Sequence, residues 1–140
     1  MPFQVSYDPQ RECVFAHLEG EVDRRTYVIF GEQVVHEATS HSSLRILADL
    51  RDARLQMTAF EIYDIPSVLE RAGIDRLCRR AILISRDFED WAFYATASRN
   101  RGHLVEIFSD ADPADRFRGI TAAESWLGIA LPDYQPRGPE

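Results

Sequence analysis

A chain of 140 residues with 45% hydrophobic and 11% aromatic side chains holds enough apolar material for one core, so a single compact domain is expected. Its formal charge of −7 repels phosphate backbones and anionic lipid head groups, which argues against a nucleic-acid partner. All 16 basic residues are arginine, and a chain without lysine builds neither a Schiff base nor a P-loop.

In "FQVSY", residues 3–7, apolar and polar positions alternate; "DPQR" turns, and "CVFAHL" at 13–18 returns as a second strand. The pattern predicts an antiparallel hairpin. Asp23 is placed to cap a helix whose apolar positions Tyr27, Phe30, Val34, Val35 and Ala38 follow helical spacing up to "SHSS". Gly31 costs that helix about 1 kcal/mol relative to alanine, which implies close packing against a neighbouring backbone.

"LRILADL" at 44–50, "AILIS" at 81–85 and "LVEIF" at 104–108 are short apolar runs of the kind that form interior strands under helices. Between and after them lie helical patterns at 58–72, 88–101 and 113–127, with Gly73 and Gly102 just past two of the ends. Pro66 should kink or split the first of these. "GITAAESWLG" offers a capping box, Thr121 with Glu124, that should break the last pattern near Gly119. The order β-β-α-β-α-β-α-β-α specifies an α/β domain over residues 1–130, with about five mostly parallel strands and about four helices. The proline-rich tail, 131–140, is expected to be poorly ordered. There is no leader-like start and no run of 18 apolar residues, so a soluble, cytoplasmic protein without an integral membrane segment is expected. Cys13 and Cys78 stand alone in apolar contexts and read as buried free thiols.

Four groups of residues are candidates for function. Thr58 opens "TAFE", a capping box with Glu61, and a helix start that is capped by a threonine is also where a phosphate is best received. "DLRDAR" reads as a loop at the carboxyl end of a strand, where open α/β sheets bind ligands. By that rule Asp49, Arg51, Asp52, Ser85, Arg86 and Asp87 form one rim, with Asp87 also able to cap the next helix through "DFED". Phe60, Ile62, Ile65 and Trp91 could line an apolar pocket under the 58–72 helix. Phe88, Trp91, Phe93 and Tyr94 exceed what one buried stripe accommodates, which suggests either such a pocket or a homodimer surface. The histidines show no zinc-ligand spacing, and GxSxG, GxGxxG and Walker motifs are absent. No metal, no cofactor and no catalysis is therefore expected.

The order and spacing of "HLEGEV", "LADLRDA", "RRAILIS", "NRGHLVEIF" and "ESWL", over residues 3–128, resemble the SpoIIAA-like proteins. These are bacterial relatives of the STAS fold of anti-sigma-factor antagonists, also compared with the CRAL-TRIO lipid carriers. The resemblance implies a central sheet with helices and a non-enzymatic regulatory role. It also implies a serine or threonine, at the start of the helix after the third strand, that a partner kinase phosphorylates. Thr58 matches by order of elements, with Phe60 where the antagonists carry small residues. The resemblance thus suggests a protein-interaction module switched at Thr58; the carrier likeness suggests instead a binder of a small apolar molecule under a movable helix, peripheral to a membrane.

Overall fold

In the computed structural model, residues 2–129 are described; the expectation for the 131–140 tail lies outside them. Strands β1 (Phe3–Asp8) and β2 (Cys13–Val22) form the antiparallel hairpin, followed by α1 (Arg24–Ser40), β3 (Arg45–Leu55), α2 (Ala59–Ala72), β4 (Arg79–Leu83), α3 (Phe88–Asn100), β5 (Leu104–Phe108) and α4 (Ala122–Leu127). The sheet order is β1-β2-β3-β4-β5, with every pair after the first parallel. Strands that follow one another across a sheet, joined by crossovers of one hand, put all the crossover helices on one face. The main core agrees: Val14, Ala16 and Leu18 of β2, Ile46, Ala48 and Leu50 of β3, and Ile82 of β4 pack with Phe30, Ile62, Ile65, Trp91 and Tyr94 of α1–α3.

The opposite face is only partly covered. Leu47, Ala81, Leu83 and Phe108 meet Ala123 and Leu127, on α4 and just before it Ile120, over the β4 side of the sheet. Among the described residues no helix covers this face over β1 and β2, where Gln4, Ser6, Phe15, His17 and Asp49 line an open depression.

Local chemistry explains the elements. The Asp23 carboxylate accepts from Thr26 N–H at 2.8 Å and caps α1. A methyl group added at Gly31 would lie 2.8 Å from Leu69 Cδ2, so the close approach is to a side chain of α2 and not, as expected, to a neighbouring backbone. Gly73, with φ +102°, ends α2 in the left-handed conformation, and Ile74 N–H closes back on Leu69 O at 3.1 Å. Cys13 and Cys78 are buried free thiols, both pushed up to about 12 by burial.

Three expectations need correction. Pro66 neither splits nor ends α2, which runs unbroken from Ala59 to Ala72. Pro66 is itself buried beside Ile62, Ile65, Val68 and Leu69, and that packing outweighs one lost backbone bond. The 113–127 pattern yields a helix only at Ala122–Leu127. Upstream, Asp112 accepts from the N–H groups of Ala114 and Arg116, each at 3.0 Å, and Asp110 accepts from Ile120 N–H at 3.1 Å. Aspartates that take up backbone donors in this way compete with a helix, and Thr121 makes no side-chain cap. Lastly, "DLRDAR" is not a loop: it continues β3 to Leu55.

Candidate functional site

The start of α2 is built by Thr58. Glu61 N–H donates to Thr58 Oγ1 at 3.2 Å, and Thr58 N–H donates to Glu61 Oε1 at 2.9 Å, a complete capping box. Thr58 is exposed, and so are its neighbours on the outer side of the helix. Phe60 is 79% exposed and Tyr63 55% exposed. Tyr63 stacks on Phe93 of α3, itself 40% exposed, with ring centroids 6.4 Å apart. The surplus aromatics thus divide, with Trp91 and Tyr94 in the core, Phe88 at its margin against Phe117, and Phe93 on the surface.

The expected apolar pocket does not gather its four residues. Ile62, Ile65 and Trp91 are packed into the main core, whereas Phe60 faces solvent. The cavity beneath α2, about 30 Å³, is lined by Phe30, Gly31, Val34, Leu69, Arg80 and others instead. That is room for about one or two waters and not for an acyl chain.

Of the rim residues, Asp49, Arg51 and Asp52 lie on β3 itself and Ser85, Arg86 and Asp87 in the turn after β4. Across the parallel β2–β3 pair, His17 faces Asp49 and Glu19 faces Asp52, so β3 carries one extra residue. This bulge reverses the alternation of β3: Ile46, Ala48 and Leu50 point into the main core before it, Ala53 and Leu55 after it. Asp52 consequently shares a face with His17, whose Nε2 lies 3.0 Å from Asp52 Oδ2. Arg51 is buried at 7% exposure and donates through Nε and Nη2 to the two Asp49 carboxylate oxygens, each at 2.9 Å. Burial pushes the Asp49 carboxyl up, but the side-chain and backbone hydrogen bonds from Arg51 outweigh it and leave the group below its ordinary value.

Ser85 and Asp87 brace this strand. Ser85 Oγ donates to Arg51 O at 2.6 Å, and Leu55 N–H donates to Asp87 Oδ2 at 2.9 Å. Asp87 therefore does not cap α3 with its side chain: at φ 56° its carboxylate is turned to β3, a correction to the "DFED" reading. Arg86 lies half-buried in the same turn.

A second polar cluster went unnoticed in the sequence. Arg80, buried on β4, donates to Tyr94 Oη at 3.0 Å and to His103 Nδ1 at 3.1 Å. Since a guanidinium only donates, Nδ1 accepts and the ring proton sits on Nε2, 2.7 Å from Glu70 Oε2. Arg101 also grips Glu70 through two nitrogens, and Arg76 lies 3.2 Å from the same carboxylate. The Arg101 and His103 hydrogen bonds draw the Glu70 carboxyl down to about 2. Burial, with Arg80 adding to it, holds His103 below the ordinary histidine value. A signal existed in the polar residues Arg80 and His103, each next to an apolar strand run.

No family model and no curated protein matches the sequence. Among solved structures, an anti-sigma factor antagonist from Mycobacterium paratuberculosis superposes with a TM-score of 0.54 at 10% identity, over 90% of this chain and 94% of that one. The unphosphorylated anti-sigma factor antagonist SpoIIAA gives 0.47 at 18% identity over 91% and 99% of the two chains. The phosphorylated Bacillus SpoIIAA gives 0.44 at 16% identity over 81% and 97%. With a mixed five-stranded sheet whose crossover helices share one face, the chain has the SpoIIAA-like STAS fold.

Proposed function

We propose that this protein is a non-enzymatic regulatory module of the STAS type, which presents the start of α2 to a protein partner and is switched by phosphorylation of Thr58. The observation that carries the reading is the exposed aromatic group Phe60, Tyr63 and Phe93 beside an exposed, fully boxed threonine, on a fold shared with an anti-sigma factor antagonist. Exposed aromatics flanked by polar residues are what protein interfaces use as anchors.

The box also supplies a means of switching. A phosphate on Thr58 brings a charge of about −1.5 to −2 to the helix terminus, where the dipole and the free N–H groups favour it. It would expel the Glu61 carboxylate, which occupies Thr58 N–H, and so change the charge beside Phe60 without disturbing the buried side of α2. The small cavity under α2 gives the apolar-carrier reading no comparable support.

The test is peptide mass spectrometry of the protein recovered from its own host, joined to binding by the Thr58→Glu variant. Phosphate at Thr58, with altered partner binding by the variant, is the expected result. An always unmodified Thr58, with Thr58→Glu binding as the native protein does, would sink the switch.

A further inference from the structure

We infer that His17, Glu19 and Asp52 form a binding site for a divalent transition-metal ion, Zn²⁺ by preference, across the bulged β2–β3 pair. One donor atom from each residue lies within 4.8 Å of the others, on the face of the sheet that no helix covers there among the described residues. His17 and Glu19, two apart on one strand, point to the same side by the period of a strand. Asp52 joins them because the extra residue in β3 turns it to that side; in unbroken alternation it would point with Leu50 into the core. Bulges of this kind commonly re-aim a side chain at a functional position.

The dimensions suit one ion. Zn–N and Zn–O bonds of about 2.0–2.2 Å place neighbouring donors of a tetrahedral shell roughly 3.4 Å apart. His17 Nε2 and Asp52 Oδ2 already stand at 3.0 Å, and the exposed Glu19 has a carboxylate oxygen within 4.8 Å of both. All three donors ride on paired strands, which hold their spacing better than loops do. The donor set, one imidazole and two carboxylates, favours Zn²⁺ or Mn²⁺ over Mg²⁺ and Ca²⁺, which prefer oxygen alone. The ion would tie β2 to β3 at the bulge and leave a coordination position open on the uncovered face. The inference stands apart from the switch at Thr58, since it shares no residue with the start of α2.

Calorimetric titration of the metal-stripped full chain with ZnCl₂, MnCl₂ and MgCl₂ tests it. One Zn²⁺ per chain is expected, with Mg²⁺ at least 10-fold weaker, and His17→Gln and Asp52→Asn each weakening Zn²⁺ at least 10-fold. Circular dichroism checks that these half-exposed positions leave the fold intact, and His41→Gln serves as the control that keeps full affinity. No Zn²⁺ bound at millimolar metal would overturn the site. So would a folded His17→Gln that binds as tightly as the native chain, or a His41→Gln that loses binding.

Discussion

The two ends of α2 are opposites. At its start, Thr58 and Glu61 satisfy each other in solvent and Phe60 and Tyr63 project outward. At its end, Glu70 is held by Arg101, His103 and Arg76, and through His103 it reaches the buried Arg80. On the proposed reading, one helix separates presentation from anchoring: the exposed end would change charge or partner while the other keeps it docked on the sheet. If that division holds, substitutions at the two ends should have opposite profiles in stability and binding.

The largest effect is expected at the anchored end. His103→Ala removes the acceptor of a buried guanidinium and a donor to Glu70, and should lower unfolding free energy by about 3 kcal/mol in urea titrations. The anchor should also be sensitive to acid. The unfolded chain titrates histidine near 6.5 and glutamate near 4.5, whereas in the folded protein both groups lie lower, Glu70 at about 2. Between the folded and unfolded values the unfolded state holds more protons, so stability falls as pH drops. Thermal melts should show one loss beginning near 6.5 from His103 and a second between about 4.5 and 2 from Glu70, the first vanishing in His103→Ala.

Smaller changes are expected at the exposed end. Thr58→Ala should lose about 1 kcal/mol of stability with the cap, and Thr58→Ser little of it. Phe60→Ser and Tyr63→Ser should each shift stability by less than about 0.5 kcal/mol while weakening partner binding. A large stability loss at Phe60, or none at His103, would erase the contrast.

The covered face of the sheet was legible because its code is local. Alternation in "FQVSY", helical spacing from Tyr27 to Ala38, the Asp23 and Thr58 caps and Gly73 each announce themselves within a few residues. What escaped depends on chain neighbours far apart in sequence. Nothing near "DLRDAR" signals that β2 extends to Val22 and lets β3 pair onward to Leu55, or that a bulge turns Asp52 toward His17. Asp87 looked like a cap because its partner, Leu55 N–H, lies 32 residues away. The rim residues lie along β3 and the turn after β4, whereas the Arg80–His103–Glu70 chain is hidden from a local reading because β4, the turn before β5 and α2 each contribute one residue.

Site-specific photo-crosslinking in host cells tests the central claim most directly, with the crosslinker placed in turn at Phe60 and at Leu77, an exposed residue beyond the anchored end. The account predicts one discrete protein adduct from position 60, none from position 77, and a changed yield at position 60 when Thr58→Glu is added. No adduct from position 60, or equal adducts from both positions that ignore Thr58→Glu, would contradict it.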